Sequence, residues 1–303
     1  RDPPAVRVGN KPKDTRYAEA VRKATAWLLE KRKARRDGLL LSGHPSEMTR
    51  YMEGHGLATI LLAGALRDAP DLPETKRLTE ALQQAVQFIG KAQSSQGGWY
   101  HTSKVEGHDF DAVLPTVIQV QALQAAENVG IAIPDNALEG GRHFLASLIA
   151  KAPDKEDGIF ALAAARNPHS PISRQGKVNI DWEKQFAAVQ SRIPMGPTLK
   201  FGRDELIHYY FAQAAFQQAN ESWTKYRASL FDHLQATQNK DGSWPAATGL
   251  GIGPVYATAL WCTILQLDRQ SHPSMVAPQV DILLYYDPWP GDAPCNPSPS
   301  QSC

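Results

Sequence analysis

The chain repeats one pattern along its length: an amphipathic stretch, a glycine-containing turn, then a second apolar stretch. The first copy runs from AVRKATAWLLEKRKARRDGLLL into EGHGLATILLAGAL, and the second from EALQQAVQFIGKAQSSQGGWY into AVLPTVIQVQALQAAENVG. The third begins NALEGGRHFLASLIAKAPDKEDGIF and has no distinct second half. The fourth runs from YRASLFDHLQATQNKDGSW into GPVYATALWCTILQLDRQ. The glycines read as turns are Gly38, Gly97, Gly158 and Gly242, with separations of 59, 61 and 84. Two near-equal gaps define a unit of about 60 residues, enough for two helices and their connections. The long third gap matches an irregular, proline-bearing stretch near residues 165–203, read as an insertion.

Each half-repeat has helical periodicity. Leu82, Val86 and Ile89 recur at steps of three and four, as do Val117, Val120, Leu123 and Ala126 in the following stretch. The second stretch is apolar on more than one face, which places it inside other helices. No Asn-Gly or Asp-Gly separates alternating runs, so hairpin strands are not expected. The expected fold is all-α: stacked antiparallel helix pairs over residues 17–285, behind an arm of residues 1–16 and before a Pro/Ser/Cys tail of residues 286–303.

Charge narrows the partners. Lys and Arg number 32 against 31 Asp and Glu, so the footprint of a nucleic-acid binder is missing. The basic run at residues 31–38 falls at a predicted helix end, where cations suit the dipole. The longest apolar run, residues 57–66, is too short to span a bilayer, so no transmembrane segment is expected.

Two turns are more specific than the rest. Ala85, Phe88, Ile89, Gln93, Gly97 and Trp99 are spaced A-x-x-F-I-x-x-x-Q-x-x-x-G-x-W, and Leu234, Gln238, Gly242 and Trp244 repeat the last part. This resembles the QW motif of squalene and oxidosqualene cyclases, and the related turns of protein prenyltransferase β subunits. The phrases YMEGHGLATILLAGAL, ALQAAENVGIAIP, YYFAQAAF and NKDGSW are similar to bacterial, planctomycete-like prenyltransferase/squalene-oxidase repeat proteins. The resemblance covers most of residues 17–268 outside the insertion. It implies an α/α toroid, full or partial, of about four hairpins, in which these Gln, Gly and Trp residues stabilise the ring without reacting. Trp27, Leu28 and Arg32 stand in a degraded copy in repeat one, and Phe144, Leu145 and Ile149 in repeat three.

The acid motif of such cyclases has a partial counterpart in EGHDFDAVLPT, with His108, Asp109 and Asp111 before the second helix of repeat two. By position Asp111 matches the acid that protonates an alkene, but Ala112 stands where the flanking acid belongs. Protonating an alkene needs a carboxylic acid kept protonated by its neighbours. The other reading is that Asp109 or Asp111 caps the next helix. His101, Glu106, His108, Asp109 and Asp111 have metal-binding composition without a fixed ligand spacing, so neither a metal nor another cofactor is expected. The zinc set of a prenyltransferase is absent as well: Cys262 is the lone cysteine of the helical body, with Leu260 where an Asp belongs. His55, His208, Tyr209 and Tyr256 converge if their helices are the inner ones, either lining a ligand cavity or filling the centre.

Cys295 and Cys303 sit in the tail DPWPGDAPCNPSPSQSC, as two exposed thiols or as a disulfide. The start at Arg1 without an apolar leader reads as a removed leader or a start within a longer chain. A tail disulfide would require an oxidising compartment, and an extracytoplasmic location is expected. The leading functional reading is a non-catalytic binding or assembly subunit that meets a protein partner or its own copies, with the tail as a contact. An isoprenoid cyclase using Asp111 and a polysaccharide-active toroid are the alternatives.

Overall fold

The computed structural model describes residues 15–33, 37–68, 75–151, 156–165, 204–218, 221–245 and 253–267, with isolated positions 184, 187 and 193. Among the described residues the regular structure is helical, and extended pairing is confined to an antiparallel bridge between Trp99 and Ala112. The chain is therefore all-α. Most of the insertion, the first fourteen residues and residues 268–303, including Cys295 and Cys303, lie outside the described residues.

Repeat one supplies α1 (Thr15–Lys33) and α2 (Tyr51–Asp68), and repeat two α3 (Thr75–Ala92) and α4 (Val113–Glu127). Repeat three supplies α5 (Ala137–Lys151) and α6 (Glu156–Ala165). Then come α7 (Asp204–Gln218), α8 (Glu221–Thr237) and α9 (Pro254–Gln266). Two layers result. α2, α4, α6, α7 and α9 pack each against the next, while α1, α3, α5 and α8 flank them. Burial follows sequence pattern. α3 buries one stripe, from Leu78 through Leu82, Val86 and Ile89, and turns Gln83, Gln84 and Gln87 to solvent. α4 is buried without a break over residues 115–126, α6 over 159–164 and α7 over 205–215. Helices apolar all round need neighbours all round, so this inner layer is the core.

The turns at Gly97 and Gly242 are built alike. Trp99 donates its indole N–H to the Ile89 carbonyl at 2.8 Å, and Trp244 donates to Leu234 at 2.8 Å. Both spacings are ten residues. Gln93 Nε2 donates to the Gly97 carbonyl and Gln238 Nε2 to that of Gly242, at 2.8 and 2.9 Å. The backbone N–H of each tryptophan donates to a threonine of the following helix, Thr116 or Thr258. Gly97 and Gly242 both adopt left-handed φ, 93° and 85°, which favours glycine. One structural unit thus recurs.

The turn of repeat two also grips repeat three. Gln93 Nε2 makes a second bond to the Ala137 carbonyl at 2.8 Å, at the start of α5. A Cβ on Gly141 would meet Trp99 Cζ3 at 2.7 Å and Val120 Cγ2 at 2.6 Å, so the bare glycine lets α5 lie on the indole. Gln238 is exposed and, among the described residues, makes one side-chain bond. With a hydrogen bond contributing about 1 kcal/mol net, Gln93→Ala is expected to cost about 2 kcal/mol and Gln238→Ala less than about 1. Urea midpoints of the two variants check this ordering.

One expectation is corrected. Gly158 is the third residue of α6 and not a turn glycine. The run GIFALAAA is the missing second helix of repeat three. It was obscured because Asp-Gly reads alike in a turn and in the first turn of a helix, and because only residues 152–155 separate α5 from α6.

Candidate functional site

The acids of EGHDFDAVLPT lie in the loop that the Trp99–Ala112 bridge closes over the start of α2. The loop is fastened at several points. Met52 N–H donates to the His101 carbonyl, and Ser103 N–H to the Tyr51 hydroxyl at 2.7 Å. That hydroxyl in turn donates to Glu106 Oε1 at 2.8 Å. His101 Nδ1 lies 2.6 Å from Glu53 Oε1, and Arg50 reaches the same oxygen at 3.2 Å. His108, exposed, has Nδ1 2.7 Å from Thr102 Oγ1.

Asp109 and Asp111 serve the turn behind them. Asp109 accepts the Ser95 backbone N–H at 2.7 Å, and this bond holds its carboxyl below the usual value. Lys104 Nζ approaches it at 3.8 Å. Asp111 Oδ1 accepts the Ser94 hydroxyl at 2.5 Å. Neither caps α4, whose N-cap is Ala112 with no side-chain bond. Both carboxylates tie the 94–98 turn to the loop. Among the described residues no group of three His, Cys, Asp or Glu side chains is placed to hold a metal ion. Cys262 is a free, partly buried thiol, pushed up by burial.

The four residues expected at one centre are parted. His55 is fully buried and meets α3 of the flanking layer. Its Nδ1 accepts the Leu40 backbone N–H at 3.0 Å, and Nε2 lies 3.2 Å from the Ala85 carbonyl of α3. Leu40 follows Gly38 by two residues, as Trp99 follows Gly97 and Trp244 follows Gly242. His55 is thus repeat one's counterpart of Thr116 and Thr258, accepting the same turn N–H. Accepting at Nδ1 requires a neutral ring, and burial lowers its pKa from 6.5 to about 4. His208, also buried, bonds through Nδ1 to the Tyr226 hydroxyl of α8 at 2.7 Å and leans on Trp261. These two histidines link the layers through their ring nitrogens.

Tyr209 and Tyr256 do come together. Tyr209 feels Tyr256, and its neighbour Tyr210 feels Tyr209, Tyr256 and Glu53; burial pushes both phenols up. Tyr210 also meets Phe160 of α6 edge-on at 5.2 Å. Beside them runs an amide ladder that sequence reading passed over. Gln121 Nε2 donates to Gln213 Oε1 at 2.8 Å across α4 and α7, and Gln119 Nε2 to the Met52 carbonyl at 2.8 Å. Gln124 receives a bond from Arg142 and donates to Asn128. The signal was available: QVQALQ puts three amides in an otherwise apolar helix. Buried amides that bond across helices fix their register.

Among the described residues no helix is long and apolar enough to cross a membrane. No protein-family model, no curated protein and no solved structure matches the chain.

Proposed function

We propose that the chain is a non-catalytic α/α-toroid protein of the QW-repeat kind, which works outside the cytoplasm by binding a partner or assembling with itself. The observation that carries this is the employment of Asp111: its carboxylate accepts the Ser94 hydroxyl and secures a turn. Alkene protonation would need that carboxyl held as the acid and turned to a substrate, whereas its Oδ1 is engaged in the turn. The unbroken burial of α4, α6 and α7 supports it further, because side chains and cross-helix amides occupy the inner layer. Curvature into a ring is part of the proposal. Its support is that outer and inner helices alternate from α1 to α6 and again from α7 to α9, and that the two turns share the indole, glutamine and threonine bonds.

The test is turnover. Purified protein incubated with linear isoprenoid hydrocarbons, alcohols and diphosphates is expected to return them unchanged by mass spectrometry. A product that forms with the wild type and vanishes in Asp111→Asn would overturn the reading. Asp111→Asn is expected instead to lower the melting temperature, since the amide is a weaker acceptor for the Ser94 hydroxyl. A non-reducing mass measurement of tail peptides carrying Cys295 and Cys303 tests the location: a loss of two hydrogens is expected.

A further inference from the structure

Where a turn is covered, the next outer helix covers it at one fixed place. Aligning Phe88–Ile89 of α3 with Phe144–Leu145 of α5 superposes Gln84 on Gly140. A Cβ on Gly38 would strike the Gln84 carbonyl at 2.3 Å, and one on Gly97 the Gly140 carbonyl at 2.9 Å. The turn of repeat four has no such cover among the described residues. Gly242 is exposed, and a Cβ on it would find just the Gln238 amide at 3.9 Å.

α1 shows the converse. Its Trp27–Leu28 aligns with Phe88–Ile89, so Ala20, Val21, Ala24 and Trp27 match Ala81, Leu82, Ala85 and Phe88. The α3 residues are all buried, and Phe88 gains its cover from Tyr51 and His55 of the preceding inner helix. On α1, Ala20 and Ala24 are exposed, Val21 is 43% exposed and Trp27 49%. The face with which outer helices dock on a preceding repeat is therefore built on α1 and, among the described residues, is left open apart from Lys31, whose ammonium lies 5.4 Å from the centre of the Trp27 ring.

Resting on the reading of this chain as a self-assembling subunit, we propose that its copies associate head to tail, the Ala20, Val21, Ala24 and Trp27 face of α1 in one seating on the Gly242 turn and the first turn of α9 in the next. The contact continues the one that α3 and α5 already make within the chain. Trp27 comes to lie by Pro254 and Thr258, which hold the places of Tyr51 and His55, next to Val255, whose side chain is 83% exposed. Lys23 holds the place of Gln84 and Gly140, so its ammonium approaches Asp241, the neighbour of Gly242. Its contact within the chain is a solvent-exposed pair with Glu19 at 3.6 Å. Opposite charges meeting across the seam favour this register. The two faces differ, so each bound copy still offers one of each, and growth ends by closing a ring or runs on as a filament.

Sedimentation velocity over a concentration series tests this with Ala24→Arg and Val255→Arg. Both sites are exposed, and circular dichroism verifies that each variant is folded. The wild-type mass is expected to rise with concentration, and each variant alone to remain a monomer. An equimolar mixture of the two is expected to form a two-chain species and nothing larger, because one intact interface remains. A monomeric wild type, or either variant associating like the wild type, overturns the head-to-tail contact. Such a failure is distinguishable from failure of the non-catalytic reading, which isoprenoid turnover decides.

Discussion

Trp99→Ala is expected to lower folding stability by roughly 4 kcal/mol, and Trp244→Ala by about half as much. Both indoles hold the same bond to the carbonyl ten residues back, so the bond does not separate them. Surroundings do. Trp99 is completely buried, with α5 laid against its ring at Gly141 and with Val120 beside it. Removing it opens a cavity between two repeats, walled by helices that cannot collapse without breaking the Gln93 bonds to Gly97 and Ala137. Trp244 is 5% exposed in a turn whose glycine is open on its far side. Its loss is closer to trimming an edge. Chemical denaturation of both variants checks the prediction, and an equal or larger cost at Trp244 would refute the idea that the following helix supplies the difference.

A second large effect is expected from acid. His55 is neutral in the fold and titrates near 4, against 6.5 when unconstrained. Burial is the main cause; the Ala85 carbonyl and the Asp37 charge oppose it without prevailing. Between those values the unfolded chain takes up a proton that the folded chain refuses. Stability therefore falls as pH drops from about 6.5 towards 4, by about 3 kcal/mol at this residue, and this contribution levels off below that range. His55→Gln keeps an acceptor and a donor but removes the titration. The stability advantage of the wild type over His55→Gln is expected to be greatest near neutral pH and to shrink by about 3 kcal/mol as pH approaches 4. Urea unfolding at several pH values measures the gap, and a gap independent of pH would refute the assignment.

The parts of this architecture that were legible in the amino-acid sequence are those written by neighbours along the chain. Gln93, Gly97 and Trp99 interact within ten residues of one another, so their spacing carries their geometry. The parts that escaped are written by contacts between distant residues. His55 stands by itself in EGHGLAT, and its partners Leu40 and Ala85 are 15 and 30 residues away. Only once Leu40 is known to stand in a tryptophan's place does the histidine read as the local acceptor. Of the two readings of Asp109 and Asp111, Asp111 as a general acid or either Asp as a cap, the cap looks forwards, to α4. The two carboxylates act backwards, on Ser95 and Ser94, 14 and 17 residues earlier, because the loop between doubles back over the helix start.

The second bond of Gln93 sets an order of events during synthesis. Ala137 emerges from the ribosome 44 residues after Gln93, and the glycine that admits the Trp99 ring comes four residues later still. A nascent chain halted before α5 lacks the second Gln93 bond and the helix that covers Trp99 at Gly141. The first two hairpins each lock only when the next outer helix arrives, α3 on Gly38 and α5 on Gly97, so their maturation is vectorial.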